Sequence, residues 1–215
     1  DILSVADMER EGHRFKFQAP ASVIIYGQSQ SGKSTLMLRI LESLEELISP
    51  MPERIFWARG AKTDMLIPEY VNLIEGLPSI DDIPPNSLLI LDDFGPQIAN
   101  DKKAARALEN LSMVQCHHKR ISTFLLLQSV FGNNRKSRIN ATEMIFVRTL
   151  ADSLELSNIS RQLFPKAPTL LLEAQQLASR IGERYILVST HPANEQIKVL
   201  TRIFPSEDSI FFEPS

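Results

Sequence analysis

The chain has 215 residues, of which 43% are hydrophobic, and it carries a formal net charge of −3. This length suits one domain with a sizeable core, and the charge does not by itself indicate a nucleic-acid-binding protein, so any DNA contact must come from local basic patches or from assembly. The single cysteine, Cys116, excludes an internal disulfide framework and fits an intracellular compartment, while no apolar run approaches a membrane span, so no membrane partner is expected.

The first predicted elements are a lead-in of mixed charge over residues 1–20 and a short apolar strand, Val23–Tyr26. The sequence GQSQSGKS follows directly at residues 27–34 and leads into a helix with apolar residues recurring on one face. Glycines and a lysine in this spacing, between a strand and a helix, form the phosphate-binding loop (Walker A motif) of P-loop NTPases. The sequence therefore predicts a nucleoside triphosphate site.

Each residue type in this loop has a chemical reason. Gly27 and Gly32 let the backbone approach a phosphate, and the N–H groups of the loop and of the following helix point at the anion. Lys33 is predicted to reach the β- and γ-phosphates and Ser34 to bind Mg²⁺, while Thr35 adds a hydroxyl near the α-phosphate. The predicted nucleotide-binding residues are Gly27, Gln28, Ser29, Gln30, Ser31, Gly32, Lys33, Ser34 and Thr35.

The second strand is predicted at Arg54–Ala58, and two basic residues, Arg59 and Lys62, follow its end. Ligands of open α/β sheets lie at this edge, so these residues are candidates for a site contact. A solvated basic loop is the simpler alternative.

An apolar run at Leu88–Leu91 has the pattern of a strand buried on both faces, and it ends in Asp92 and Asp93. This is the Walker B pattern, in which Asp92 is predicted to hold Mg²⁺ through water and Asp93 to polarise the attacking water. Two aspartates after a strand are a weak signal alone. The preceding Walker A motif makes the functional interpretation strong.

An amphipathic helix is predicted over Asp101–His118, ending in the basic sequence HHKR at residues 117–120. Basic residues suit the last turn of a helix and could also contact a phosphate backbone. The predicted inward-facing residues are Ala104, Ala107, Leu108, Leu111 and Val114.

The next buried strand, Ile121–Gln128, ends in a polar side chain. Gln128 is predicted to act as a sensor of the γ-phosphate or of the attacking water. A simple hydrogen-bonding role at the strand end is the alternative.

Residues 131–140 form a predicted loop that contains the densest basic group of the chain, Arg135, Lys136 and Arg138. An arginine here could be a finger that reaches the ATP of a neighbouring subunit, because a guanidinium is always charged and binds phosphate oxygens in a fork. A solvated basic loop remains the alternative.

The strand Glu143–Arg148 completes five strands that alternate with helices, a pattern that predicts a parallel sheet.

After Leu150 the chain changes character, and nothing in the remaining residues has catalytic spacing. Two helices are predicted at Ser153–Leu163 and Thr169–Arg180, and two closing strands at Arg184–Ser189 and Ile197–Ile203. The predicted divisions are a lead-in at 1–20, a P-loop ATPase core at 21–150, and a C-terminal part at 151–215 that completes the same domain and supplies a subunit interface.

These motifs occur in an order that resembles the FtsK–HerA superfamily. They are GQSQSGKST, LLILDD, the turn HHKRIS before FLLLQS, and RIN before EMIFVR, with RIFP near the C-terminus. Within the superfamily, the chain is most similar to the viral genome-packaging ATPases of the poxvirus type and of Maverick/Polinton-like and adintovirus-like elements. The resemblance covers residues 20–205, and HHKRIS with LLLQS is its most discriminating part.

The resemblance implies an α/β fold: a P-loop NTPase with a RecA-like, mostly parallel sheet, helices on both faces, and a small C-terminal helix pair and strand pair. It implies ATP and Mg²⁺ as cofactors, Asp92 with Asp93 as Walker B, Gln128 as sensor, and an arginine finger at Arg138, with Arg135 as the alternative. Two residues depart from the family pattern. Asp93 stands where many members have Glu, and Gln30 replaces a frequent loop glycine.

The resemblance also implies partners. Members form homo-oligomeric rings, usually hexamers with pentamers as the alternative, that thread double-stranded DNA into a capsid. The expected partners are therefore duplex DNA, further copies of the chain, and a capsid or portal protein, in the host cytoplasm or nucleus and transiently at the capsid. A helicase of the same superfamily, a P-loop kinase and a non-hydrolysing nucleotide-gated scaffold are the other hypotheses.

Overall fold

The computed structural model describes residues 15–61, 65–99, 101–128, 140–147 and 153–214. Within these ranges, no helix combines the length and the apolar character that a membrane crossing needs. Three of the predicted site candidates, Lys62, Arg135 and Arg138, lie outside the described residues.

Two sheets occur in the described part of the chain. The smaller pairs β1 (Phe17–Gln18) with β3 (Ile48–Ser49) in parallel. The larger consists of β2 (Ser22–Tyr26), β4 (Arg54–Arg59), β5 (Asn72–Glu75), β6 (Ser87–Asp92), β7 (Ser122–Leu127), β8 (Glu143–Val147), β9 (Tyr185–Ser189), β10 (Lys198–Thr201) and β11 (Ile210–Phe211).

The strand order of the large sheet is β11-β10-β9-β8-β2-β7-β6-β4-β5. Every pair from β5 to β8 is parallel, whereas β9, β10 and β11 continue the sheet in antiparallel fashion. The mostly parallel sheet is therefore confirmed. The two predicted closing strands, β9 and β10, belong to this same sheet, because β9 pairs directly with β8. A further strand, β11, was not predicted from the sequence.

Helices connect these strands on both sides. They are α1 (Lys33–Glu42), α2 (Leu44–Leu47), α3 (Gly95–Ala99), α4 (Lys102–Asn110), α5 (Cys116–His118), α6 (Ser153–Leu163) and α7 (Leu170–Arg180), with a 3₁₀ turn at Ile80–Asp82 and a π turn at Leu111–Gln115.

The sheet is covered on both faces, because successive strand residues point to opposite sides. On β2, Val23 and Ile25 belong to a buried cluster with α1, whereas Ile24 and Tyr26 belong to a second cluster with α4, α6 and α7. This double coverage explains why β2, β6 and β7 are apolar along their whole length.

The helical segment that precedes β7 differs from its prediction. Instead of one regular helix it contains the π turn between α4 and α5, and its buried residues include Ala105 and Ser112. The predicted inward positions Ala107 and Val114 are exposed, so the predicted face was wrong there. The buried face begins at Ala105, and the wider π turn rotates the later side chains around the axis.

A buried carboxyl lies at the start of β8, far from the carboxyl ends of the parallel strands. Glu143 is 2% exposed and accepts hydrogen bonds from the hydroxyls of Thr142 and of Ser189, the latter at 3.3 Å. Burial is the main cause that raises its pKa from the ordinary 4.5 to about 7, and the two hydroxyls oppose this shift.

We expect Glu143 to make stability depend on pH. Its folded-state pKa is raised, so the folded state holds the proton more tightly than the unfolded chain does. The resulting stabilisation is complete below pH 4.5 and is lost as the pH rises through 7. Glu143→Gln should therefore match the wild type at pH 5 and exceed its unfolding free energy by about 2–3 kcal/mol at pH 8. Urea unfolding at both pH values measures this, with the exposed Glu213→Gln as the matched control, and parallel profiles for all three proteins would contradict it.

Candidate functional site

The carboxyl ends of the parallel strands bring the predicted motifs to one edge of the sheet. The loop after β2 continues the sheet for one residue, since the Gly27 N–H donates to the Leu127 carbonyl at 3.1 Å. A side chain at Gly27 would place its Cβ 2.4 Å from Ser31 Oγ and 3.2 Å from Val147 Cβ. Glycine therefore suits the start of this loop, because a Cβ there would crowd the side chains of Ser31 and Val147.

The loop contains two residues with left-handed backbone geometry. Gly32 has φ +99° and Gln30 has φ +60°. The geometry at Gln30 gives a physical reason for a glycine in many related loops, since a residue with a Cβ is less stable there by about 1–2 kcal/mol. Gln30 therefore keeps the loop shape at a cost in strain.

Lys33 directs its side chain into the loop that precedes it. The residue is 8% exposed, and its Nζ donates to the carbonyl oxygens of Gly27 at 2.6 Å and Gln28 at 2.8 Å. These carbonyl oxygens accept the hydrogen bonds that phosphate oxygens would accept in a nucleotide complex. The ammonium group therefore already lies inside the loop, next to the position that a phosphate would occupy.

Ser34, the next residue of α1, joins the loop to the Walker B strand. Its hydroxyl donates to Asp92 Oδ2 at 3.0 Å. The contact is made although β7 lies between β2, which leads into the loop, and β6, which ends at Asp92. A hydroxyl and a carboxylate this close are the hard oxygen donors that Mg²⁺ prefers. The two side chains therefore fit a Mg²⁺ site, with either direct or water-mediated contact from Asp92.

The carboxyl of Asp92 lies in an environment that favours a bound cation. It is 6% exposed, and burial is the largest cause that raises its pKa, with the charge of Asp93 adding to it. The hydrogen bond from Ser34 and the charge of Lys33 act in the opposite direction. A divalent cation would oppose the burial effect far more strongly, because its charge favours the ionised carboxylate.

Asp93 turns away from the strand direction immediately after Asp92. It has φ +55°, a left-handed conformation that aspartate tolerates better than most residues. Its Oδ1 accepts a long hydrogen bond, 3.4 Å, from the Nε2 of Gln128, which follows β7. The structure thus brings together the two side chains that the sequence analysis assigned to the attacking water.

A glycine that the sequence analysis did not single out supports this turn. A Cβ at Gly60 would lie 2.4 Å from the backbone oxygen of Asp93 and 2.5 Å from the side chain of Gln97. The Gly60 N–H also donates to the Asp92 carbonyl at 2.9 Å, and the Gln97 amide donates to the Gly60 carbonyl. The feature of the sequence that could have indicated Gly60 is its position directly after a buried strand.

A cavity of about 300 Å³ lies on the α1 side of the phosphate loop. Its lining includes Ser31, Gly32 and Thr35 of the loop and the turn at 182–185. Arg39 also lines the cavity, and its guanidinium lies 3.8 Å from the ring centre of Phe204. A cavity of this size beside the loop residue nearest to the expected α-phosphate can hold a nucleoside.

Arg59 is the remaining candidate that the structure describes. Arg59 is at the correct edge, but its Nε donates to Glu75 at 2.8 Å, so its guanidinium is engaged with the neighbouring strand β5. A second cavity, of about 200 Å³, lies near the amino ends of β6 and β7, where Pro20, Ser87 and Arg120 are among its lining residues, and it contains none of the predicted site residues.

Comparison with known proteins bears on the fold of the chain. No family model and no curated protein matches the chain. Among solved structures, it is similar to B204, the DNA-packaging ATPase of Sulfolobus turreted icosahedral virus, with a TM-score of 0.52 and 14% identity over 84% of this chain and 97% of that chain. It is also similar to the genome-packaging NTPase B204 of Sulfolobus turreted icosahedral virus 2 in complex with AMPPCP, with a TM-score of 0.50 and 16% identity over 84% and 97%.

The complex of that second protein with ATP-gammaS gives a TM-score of 0.50 and 15% identity over 86% of this chain and 99% of that chain. At such identity the likeness establishes a shared fold. The predicted P-loop NTPase fold with a RecA-like sheet is therefore confirmed.

Proposed function

We propose that the chain is an ATPase that moves double-stranded DNA and packages a viral or virus-like genome into a capsid. The observation that carries this proposal is the contact of Ser34 with Asp92 at 3.0 Å, beside a second pair formed by Asp93 and Gln128. A phosphate loop, a metal-binding pair and a water-orienting pair are the parts that ATP hydrolysis needs. The shared fold with proteins described as packaging ATPases supports the finer assignment.

The binding step rests on the loop and its lysine. The backbone N–H groups of residues 27–35 hold the phosphates, and Lys33 moves from the carbonyls of Gly27 and Gln28 to the β- and γ-phosphate oxygens. Thr35 contacts the α-phosphate, which directs the nucleoside into the cavity bounded by Gly182 and Arg184. The loop carbonyls lose one charged donor in this exchange, while the phosphates gain it.

The chemical step is the attack of water on the γ-phosphorus, which breaks the bond to the β–γ bridging oxygen and releases ADP and phosphate. Mg²⁺, held by Ser34 and Asp92, supplies charge neutralisation for the phosphate oxygens when it is bound. The carboxylate of Asp93 orients the water and accepts its proton, and the amide of Gln128 holds Asp93 and contacts the γ-phosphate. Gln128 directly follows β7, the strand that lies between β2 and β6. A change at the γ-phosphate can therefore be transmitted through Gln128 to the rest of the sheet.

A ring completes the site with a residue from a neighbouring copy. An arginine finger at Arg138, or alternatively at Arg135, neutralises charge in the transition state and makes each hydrolysis depend on the next subunit. Cyclic symmetry satisfies every interface of a hexamer or of a pentamer, and the C-terminal part at 151–215 supplies the contact surface. The capsid or portal protein is the further partner, and the location is intracellular.

The test is ATP hydrolysis with and without long double-stranded DNA at low salt. We expect duplex DNA to stimulate hydrolysis at least severalfold, and we expect the stimulation to disappear as salt rises, since phosphate contacts release counterions. Single-stranded DNA of equal length is the control that separates duplex movement from unwinding. Hydrolysis that is indifferent to duplex DNA at every salt concentration would contradict the translocase and leave the P-loop NTPase fold intact.

A further inference from the structure

The segment between the Walker B strand and the sensor strand concentrates positive charge. Residues 101–120 contain five cations, Lys102, Lys103, Arg106, Lys119 and Arg120, against two carboxylates, Asp101 and Glu109, although the whole chain carries −3. Asp101 is occupied as the helix cap, accepting the N–H groups of residues 103 and 104 at 2.8 and 3.1 Å. The excess charge is therefore available at the surface.

Six basic residues of this segment are exposed, and the five that lie within its helical part, residues 102–118, define what we name the basic face: Lys102, Lys103, Arg106, His117 and His118, with Arg120 beyond the helix end. In the part of the chain that the structure describes, none of their side chains takes part in an ion pair. Lys119 is not included because its Nζ contacts Asp81 at 3.3 Å and the Ile80 carbonyl at 3.0 Å.

The three cations near the start of the basic face, Lys102, Lys103 and Arg106, oppose the stability of their own helix. Lys102 and Lys103 occupy the first turn of α4, which has no acidic residue, and the positive end of the helix dipole disfavours cations there. Arg106 lies four residues after Lys102 and three after Lys103, where like charges repel each other. A sequence selected for local stability alone would place Asp or Glu in this turn, so the cations need another reason.

The position of the segment supplies that reason. It begins eight residues after Asp93, beyond α3, and ends two residues before β7, whose last residue is followed by Gln128. Its backbone also contacts β7 directly, since the Thr123 hydroxyl donates to the Ser112 carbonyl at 3.5 Å within the π turn. The basic face is thus joined at both ends to strands that carry residues of the nucleotide site.

We propose that the basic face contacts the phosphate backbone of duplex DNA, which rests on the proposed translocase function. The face runs along 17 helical residues, about 25 Å, which matches the phosphates of about seven base pairs. Lysine, arginine and histidine on a helix surface bind phosphate oxygens without reading bases. The contact therefore suits movement along DNA of any sequence.

The experiment uses the full chain with Lys102→Glu, Lys103→Glu and Arg106→Glu combined. We expect duplex binding at low salt to weaken at least tenfold and the DNA stimulation of ATP hydrolysis to be lost, while DNA-free hydrolysis is unchanged. The melting temperature should stay equal or rise, because acids in the first turn favour the helix. The control reverses two exposed cations that lie outside this segment and outside the proposed subunit interface, Lys16 and Arg54, and should leave duplex binding within about twofold.

A neutral variant gives a second, quantitative readout. Lys102→Gln, Lys103→Gln and Arg106→Gln together should lower the slope of log affinity against log salt by about 3, the counterions of three phosphates. If the wild type binds and responds to duplex DNA and both triple variants behave like it, the basic face is not the contact. If the wild type itself neither binds nor responds to duplex DNA, the proposed function fails as well, and the two failures are therefore distinguishable.

Discussion

Lys33→Ala is expected to weaken ATP binding by at least a hundredfold. In the structure the ammonium already lies inside the loop, 2.6 Å from the Gly27 carbonyl and 2.8 Å from the Gln28 carbonyl. Charge-assisted hydrogen bonds to two phosphates contribute about 1.5–3 kcal/mol each, and alanine removes both of them. The loop N–H groups remain in the variant. The affinity that is lost is therefore that of the lysine for the β- and γ-phosphates and not that of the loop backbone.

Titration calorimetry with a non-hydrolysable ATP analogue and Mg²⁺ measures this loss. The exposed Lys166→Ala is the matched control for removing one lysine, and thermal melting without nucleotide establishes that the variant is folded. AMP supplies a further control, because it lacks the phosphates that Lys33 contacts and its weaker binding should change little. Micromolar affinity of Lys33→Ala for the triphosphate analogue would contradict the assignment of the phosphate loop.

The parts of this molecule that could be predicted from the sequence are those whose information is local. The Walker A loop is contiguous, and its glycine spacing states a backbone requirement that the structure displays at Gly27 and Gly32. The strands β6 and β7 are apolar along their length because both faces of the sheet are covered. Since parallel strands end at one edge, the proximity of Asp93 and Gln128 followed from the same reasoning.

The parts that could not be predicted depend on contacts between distant residues. Nothing local distinguishes Gly60 from an ordinary loop glycine, since its requirement comes from the backbone of Asp93, 33 positions later. The π turn changes which side of the segment is buried, so Val114 is exposed despite its helical spacing. The buried carboxyl of Glu143 is satisfied by Ser189, on a strand whose pairing the sequence does not state.

Asp93→Asn is expected to bind ATP normally and to lose turnover by about 10²–10⁴-fold, the contribution of a general base that is positioned by the protein. Asparagine keeps the shape and one oxygen acceptor, so the contact with Gln128 Nε2, 3.4 Å in the wild type, can persist. The metal-binding pair of Ser34 and Asp92 is untouched, so nucleotide affinity should change by less than about threefold. Single-turnover hydrolysis and analogue titration separate these two quantities, and Asp92→Asn, which alters the Mg²⁺ pair, should instead weaken both. Unchanged turnover in Asp93→Asn would contradict its role.

The same variant tests whether a neighbouring subunit completes the site. If Arg138 acts on the ATP of the next copy, a site is active where an intact Asp93 meets an intact Arg138 from its neighbour. Mixing Asp93→Asn subunits with Arg138→Ala subunits in equal amounts creates such a site at about one interface in four of a randomly assembled ring. Hydrolysis should therefore rise from the background of each pure variant toward about a quarter of the wild-type rate. Repeating the mixture with Arg135→Ala identifies which arginine is the finger, because only the variant that lacks the finger shows both the loss and the rescue. A mixture as inactive as its components would mean that Arg138 acts within its own subunit, since then every polypeptide lacks one of the two groups.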